Sequence, residues 1–458
     1  MVNQYDAIVI GTGQAGPALA GQLNAAGKKV VVVERSRIGG TCVNAGCIPT
    51  KALVASARAA HVAKRAKDFG VQLDGPVRVD MARVKARMKT ISGQSGQGVT
   101  DWLEGMENVD LIRGHGRFVD SKTVEVDGTR LEAEAIFINV GARSFVPEIP
   151  GLEDVEYLTS SSILELASVP KHLIIVGGSY IGLEFAQIFR RFGSEVTVIE
   201  KGPRLIGRDD PDVSAGVQEI LETEGVHVRL DADCLGVGPH REGVSVRSTC
   251  SRFPTVVGSH LLIAVGRTPN TDSLGLEAAG IKADARGYIE VDDQLRSSVP
   301  GVWALGDCNG QGAFTHTSYN DYEIVAANLF DNEPRRVSDR ILTYGLFIDP
   351  PLGRVGMTES EARASGRRVL IGKWPMSNVG RARERSETEG FIKILVDGDT
   401  KKILGAAILG INGDEIVHSL LDAMYADVDY TVIARATHIH PTVSEFIPTT
   451  LQNLVPLE

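Results

Sequence analysis

Two cysteines, Cys42 and Cys47, stand five positions apart in the stretch GGTCVNAGCIPTK, and Lys51 follows the second by four. Near the other end of the chain, THIHPTVSEF carries His438, His440 and Glu445. A thiol pair can be a structural staple, a metal clip, or a dithiol that opens and closes. An ideal helix would separate Cys42 and Cys47 by ~7.5 Å along its axis, beyond the ~7 Å Cα limit for a bridge. A bridge therefore needs a distorted turn, and VNAG supplies one with Asn44 and Gly46. Lys51 then lies one turn after Cys47 on the same helix face, where its charge favours the thiolate that redox exchange requires. Zinc would ask for four ligands, and no second C-x-x-C or Cys/His pair at metal spacing accompanies these two, so no metal is expected. Cys234, Cys250 and Cys308 are scattered and are read as buried or incidental thiols; five cysteines cannot all pair. A redox-active pair remains. Such chemistry makes and breaks S–H bonds, and histidine titrates near neutrality, so the second stretch is its natural acid–base source.

Elements that could feed such a pair with electrons lie upstream and downstream. YDAIVIGTGQAGPALAGQL reads as a buried strand, Tyr5 to Ile10, a glycine turn, and a helix from about Gly16. Gly11, Gly13 and Gly16 fit G-x-G-x-x-G: a tight turn, room for a pyrophosphate, and close packing of helix on strand. The helix N-terminus then faces the phosphates. A second strand ends on Glu34, eighteen residues after Gly16, where a carboxylate can take the hydroxyls of a ribose. The pattern recurs in KHLIIVGGSYIGLEFAQIFRRFGSEVTVIE, with Gly177 and Gly182 outermost, Ser179 in place of the middle glycine, and Glu200 again eighteen residues on. Two such units mean two dinucleotide sites. AIFINVGARSFVPEIPG, with Gly141, and HLLIAVGRTPNT, with Gly266 and Arg267, read as crossovers from one nucleotide domain to the next. SSVPGVWALGDCNG is a buried strand ending at Asp307, which can reach a sugar-like hydroxyl or cap a helix.

At 458 residues the chain has room for about three domains. No apolar run approaches the ~18 residues that span a bilayer, and MVNQYDAIVIG lacks the basic leader of a signal peptide. A cytoplasmic protein is expected, and with it no permanent structural disulfide. A net charge of −10 without a dense basic run disfavours nucleic acid as a partner.

Taken in order, GTGQAG, GGTCVNAGCIPTK, GGSYIGLE, VGRTPN, GVWALGDC and HIHPTVSE resemble the flavin-dependent pyridine nucleotide–disulfide oxidoreductases, the group of dihydrolipoamide dehydrogenase, glutathione reductase and mercuric reductase. The resemblance covers essentially the full length. It implies an α/β fold with two Rossmann-like domains, for FAD and NAD(P), plus an α+β C-terminal dimerisation domain. The expected boundaries are 1–150 and 271–337 for the FAD domain, 151–270 for the NAD(P) domain, and 338–458 for the dimerisation domain. It implies FAD at the first glycine motif, with Glu34 on the adenosine ribose and Asp307 on the ribityl chain; Gly40, Thr41 and Lys51 are counted with them. It implies Cys47 toward the flavin and Cys42 toward the substrate, Lys51 paired with Glu184, and Tyr180 over the nicotinamide pocket. His440 becomes the acid–base group, held by Glu445 and reaching into the other subunit of a homodimer.

The expected function is electron transfer from NAD(P)H through FAD to a Cys42–Cys47 disulfide and on to a disulfide or dithiol substrate. Glu200 favours NADH, because a 2′-phosphate would meet a carboxylate; Lys201 and Arg204 lie close by. Two alternatives stand beside this. One is a mercuric reductase-like reductase of Hg²⁺ or Cu²⁺, suggested by GGTCVNAGCIPTK and GDEIVHSLLDAMYA. The chain's end, QNLVPLE, offers no extra cysteine pair to hand a soft ion inward. The other is a flavin-binding redox sensor without turnover, which the presence of Cys42, Cys47, Lys51, His440 and Glu445 together argues against.

Overall fold

The computed structural model describes residues 2–248, 254–331 and 334–457. Short runs of β-branched residues, buried on both faces, make its parallel strands, as the packing of side chains on a doubly covered sheet requires. In the first sheet Val2–Ile10 lies between Val30–Glu34 and Thr129–Ile138, all parallel, with Val109–Arg113 outside Val30–Glu34. Val302–Ala304 returns from far along the chain to pair with Thr129–Ile138, Trp303 opposite Phe137. An antiparallel extension, Gly116–Phe118 and Thr123–Val126, completes this sheet. The helices Ala15–Ala25 and Thr315–Phe330 pack together over one face, where Leu19, Val32, Phe137 and Ile324 share a core.

A second sheet repeats the plan with four parallel strands, in the order Val226–Arg229, Glu195–Ile199, His172–Val176, His260–Ile263. A three-stranded antiparallel layer, Leu235–His240, Gly243–Ser248 and Val256–Gly258, covers it on one side. The two crossover stretches meet: Ala142–Ser144 pairs antiparallel with Arg267–Pro269, so leaving and returning segments form one ribbon between the sheets. The C-terminal region is a six-stranded antiparallel sheet running Thr343–Leu346, Leu352–Gly356, Ile403–Leu409, Phe391–Asp397, Val369–Pro375, Val455–Pro456.

Buried charge ties this last sheet to the second unit. Lys393, 1% exposed, sets its ammonium 2.8, 2.7 and 2.6 Å from carboxylates of Asp210, Asp212 and Glu359, while Arg354 reaches Asp210 at 2.8 Å. These three acids are spaced closely enough for a cation, and the lysine ammonium is the charge that holds them.

Among the other cysteines, Cys308 is fully buried as expected, and burial pushes its thiol up to about 12. Cys234 corrects the reading of an incidental thiol: it is disulfide-bonded, against the expectation of no structural disulfide. Cys250 lies outside the described residues. Among the described residues no helix is long and apolar enough to cross a membrane.

Candidate active site

The cysteine segment is two helices with a break between them. Gly40–Asn44 forms a short helix, Ala45 and Gly46 leave helical geometry, and Cys47–Lys64 starts afresh. A Cβ at Gly46 would sit 2.9 Å from the Thr41 carbonyl oxygen, so the break needs glycine there. Asn44 fastens the turn by donating from Nδ2 to the carbonyls of Ile38 and Gly40, each at 2.9 Å. Cys42 therefore sits on the short helix and Cys47 at the N-terminus of an 18-residue one, where the helix dipole favours a thiolate.

Both are free thiols in this structure. The Cys47 thiol is lowered to about 6: the hydrogen bond from Cys42 outweighs burial, and the Thr315 hydroxyl and the Lys51 charge help. Cys42 is pushed up by that same bond and by its burial, so one proton stays on Cys42. Cys47 Sγ lies 3.0 Å from Thr315 Oγ1.

The packing of Cys47–Lys64 on the helix Tyr180–Phe192 brings Lys51 to Glu184, Nζ to Oε2 at 2.7 Å. Glu184 is buried and accepts the Phe347 N–H at 3.2 Å on its other oxygen. Lys51 also lies over the Phe347 ring, 4.5 Å from its centroid.

The two glycine turns are near copies. A Cβ at Gly16 would stand 2.2 Å from the Gly11 carbonyl oxygen, and one at Gly182 2.2 Å from that of Gly177. Gly11 and Gly177 have φ of +105° and +116°, where any other L residue is strained. Glu34, buried, accepts Thr12 N–H at 2.9 Å and Ser36 N–H at 2.8 Å. Glu200 accepts Gly178 N–H at 2.6 Å and Gly202 N–H at 2.7 Å. Both acids therefore brace the turn they face, beside any ligand they hold.

One cavity of ≈2380 Å³ joins these parts; Gly11, Glu34, Cys47, Tyr180 and Glu200 all line it. So do Gly13, Gly40, Thr41, Cys42, Lys51 and Glu184. Gly141, Gly266, Arg267 and Asp307 line it near the crossover ribbon, where Arg267 lies 3.2 Å from Asp307. Burial raises the Asp307 carboxyl against that guanidinium. Leu305, not Asp307, precedes the short turn of helix there, so the capping alternative is corrected. Gly16, Gly177 and Gly182 lie beneath the lining, where they serve packing.

His440 and Glu445 are together, Nδ1 to Oε2 3.0 Å, but the histidine side chain is 80% exposed and lines no part of the cavity. Within one chain the structure does not bring them to the cysteines. His438 faces the Ala436 carbonyl instead, at 3.2 Å.

Sequence reading passed over four residues that shape the site. Asn139 donates to the Gly13 carbonyl at 3.0 Å and crowds Gly16. Thr12 donates to Glu34 at 2.7 Å and accepts Gly39 N–H at 3.0 Å, and its place inside G-x-G was a signal. Thr315, beside Cys47, and Asp209, which accepts from the Tyr344 hydroxyl at 3.0 Å, had none: these contacts span 268 and 135 positions.

The family model described as pyridine nucleotide-disulphide oxidoreductase matches residues 5–321, and that of its dimerisation domain residues 343–451. The chain is 36% identical over 452 residues to the probable pyridine nucleotide-disulfide oxidoreductase RclA of Escherichia coli, covering 97% of this chain and 98% of that one. It is 35% identical to a dihydrolipoyl dehydrogenase of Thermus scotoductus (96% and 95% covered) and to a mercuric reductase of Streptomyces lividans (96% and 94%). A solved Cu(II) complex of the HOCl-induced flavoprotein disulfide reductase RclA from Escherichia coli superposes with a TM-score of 0.90 at 35% identity, covering 98% and 99%.

Proposed function

We propose, from the premise that the chain belongs to the pyridine nucleotide–disulphide oxidoreductase family, that it carries electrons from NADH to a Cys42–Cys47 pair and on to a small disulfide, or back from a dithiol. As a member of that family the protein is an FAD-dependent enzyme with a pyridine nucleotide as electron donor, and it carries a dimerisation domain. The observation that carries the reading is the set of contacts around Cys47: a thiol at a helix N-terminus, 3.0 Å from a hydroxyl, with Lys51 one turn away.

The glycine turns fit two dinucleotides: Gly11 and Gly177 have φ of +105° and +116°, and a Cβ at Gly16 or Gly182 would stand 2.2 Å from the Gly11 or Gly177 carbonyl oxygen, so each turn stays tight against the helix N-terminus that would face the phosphates. Gly11, Gly13, Gly40, Thr41, Gly141, Glu34 and Asp307 would hold FAD, with Lys51 and Glu184 beside it. FAD, when bound, supplies the two-electron chemistry that links nicotinamide to a disulfide. Gly177, Gly182, Tyr180, Glu200, Gly266 and Arg267 would hold the nucleotide. Glu200 is pinned by two backbone N–H groups, so it presents fixed negative charge to a 2′-phosphate. Lys201 turns to Asp233 at 3.3 Å and Arg204 donates to the Gly207 carbonyl at 3.1 Å, which supports NADH.

The proton bookkeeping assigns the rest. In the dithiol state Cys47 holds the charge and Cys42 the proton. Cys42 must lose that proton to attack a substrate sulfur, forming a Cys42–S bond as the substrate S–S bond breaks. His440 of the partner subunit, its ring fixed by Glu445, takes the Cys42 proton and returns it to the departing thiolate. Cys47 thiolate then attacks Cys42, which closes the pair and frees the second substrate sulfur as a thiolate that takes its proton from solvent.

A second reading, reduction of Hg²⁺ or Cu²⁺ at the same thiols, is favoured by the names of the mercuric reductase relative and the Cu(II) complex. Anaerobic titration with NADH and NADPH, then reoxidation by lipoamide, glutathione disulfide, Hg²⁺, Cu²⁺ and quinone, separates the two. Reoxidation by a disulfide at rates no metal ion matches is expected. Full disulfide turnover in both Cys42→Ser and Cys47→Ser would sink the thiol mechanism.

A further inference from the structure

Tyr180 begins the helix Tyr180–Phe192 and shares a face with Glu184, one turn on. It lines the same cavity as Glu200 and the Lys51–Glu184 pair. Tyr180 follows Gly178 by two residues and lines the cavity with it, so a nucleotide held on the second glycine turn would meet this ring.

The ring is not loose. Its hydroxyl donates to Asp209 Oδ2 at 3.1 Å, and the hydroxyl of Tyr344 donates to Asp209 Oδ1 at 3.0 Å. Tyr344 belongs to the strand Thr343–Leu346 of the C-terminal sheet, so one carboxylate bridges two regions of the chain. Tyr180 meets Tyr344 edge-on, 5.5 Å between centroids, and Phe314 edge-on at 6.2 Å. Phe314 and Tyr344 stack at 5.7 Å and 8°, giving the Tyr180 ring a flat aromatic wall to pack on.

Asp209 is 3% exposed, and its own N–H is held by the Ile206 carbonyl at 2.8 Å. The nearest guanidinium, Arg354, goes to Asp210 at 2.8 Å and leaves both Asp209 oxygens to the phenols. Burial pushes the Tyr180 phenol well up, so it stays a donor.

We propose that Asp209 is a positioning residue that, together with Tyr344, clamps Tyr180 in the cavity and sets the free energy a nicotinamide nucleotide spends to displace the ring. The inference rests on the second glycine turn being the nucleotide site. Nucleotide entry breaks the Tyr180–Asp209 bond, while Tyr344 keeps the carboxylate in place for reclosure. Apparent affinity is then the intrinsic affinity scaled by the open fraction.

The test is anaerobic stopped-flow reduction of the FAD-loaded protein by NADH, which separates the apparent Kd from the limiting reduction rate. Releasing the clamp raises the open fraction, so Asp209→Asn lowers the Kd ~10-fold and Tyr344→Phe ~3-fold, on the scale of a hydrogen bond to a charged group. The limiting rate changes less than ~2-fold in both, because neither residue touches the reacting atoms. A general loosening of the fold would weaken binding instead. If Asp209→Asn does not fold, Tyr344→Phe, which keeps every charge, decides alone. Normal reduction of the unmutated protein with unchanged or weaker NADH binding in the variants overturns the clamp. An unmutated holoenzyme that neither NADH nor NADPH reduces overturns the nucleotide site itself, and the clamp with it.

Discussion

The two glycine turns share backbone geometry almost atom for atom, yet what lies on them differs. On the first, Gly13 admits the redox segment so closely that a Cβ on Gly40 would be 2.7 Å from the Gly13 Cα. Thr12 then joins Glu34 to Gly39 N–H, which locks that segment to the turn. On the second, Ser179 stands where Gly13 does, and Tyr180 where Gln14 does, its ring filling the space above. One unit is covered by its own chain for good and the other by a single side chain. Under the proposed assignment, that is the difference between a site for a resident cofactor and a site for a nucleotide that comes and goes.

The largest expected effects fall on the covered unit. Cys42→Ser or Cys47→Ser should keep FAD and lose disulfide turnover by ~10³-fold or more. His440→Gln should cost ~10²–10⁴-fold in turnover and leave anaerobic reduction by NADH intact; slower reduction would break its assignment to the thiol side. The turns themselves separate next. Gly16→Ala forces backbone apart, an overpacking cost of about 1–3 kcal/mol, and should release FAD. Gly182→Ala, with the same 2.2 Å conflict, should retain FAD and weaken NADH by ~10–100-fold at that cost. Loss of FAD from both variants alike would erase the distinction between the units.

Cys47 offers a pH test. Its folded pKa is about 6, below the ordinary 9.0, so the thiolate forms as pH rises through about 6. Its contribution to stability is complete above 9.0 and is lost as pH falls toward 6. Ultraviolet thiolate absorbance of the dithiol enzyme should rise with that midpoint and vanish in Cys47→Ser. A midpoint near 9 would remove the charge from Cys47.

Sequence made some of this visible because the chemistry was local. A glycine turn, a helix and an acid eighteen residues on are fixed by strand and helix lengths, so Glu34 and Glu200 could be found by counting. The break at VNAG followed from helix rise alone. The parts that could not be read are those assembled across long separations. Thr315 reaches Cys47, Tyr344 reaches Asp209, and Lys393 buries its charge among Asp210, Asp212 and Glu359, with no periodic pattern to announce any of them. The antiparallel extension 116–126 was hidden for another reason. Its short strands, such as Gly116–Phe118, are too brief for an alternation to show.

The smallest expected effect concerns the Thr12 hydroxyl, at a position where the second turn has Gly178. Thr12→Val keeps shape but removes a donor to Glu34 and the acceptor of Gly39 N–H, leaving that buried N–H without a partner, about 1–3 kcal/mol. The Gly39 segment should loosen, and with about 1.4 kcal/mol of that cost reaching the cofactor site FAD should bind ~10-fold more weakly. The second turn cannot be given the same device. Its equivalent position is Gly178, where a Cβ would lie 2.7 Å from Leu205 Cδ2, so Gly178→Thr should disturb the nucleotide site rather than brace it. FAD affinity unchanged in Thr12→Val would mean that the glycine contacts alone hold the segment. The two units would then differ only in what covers them, not in how firmly.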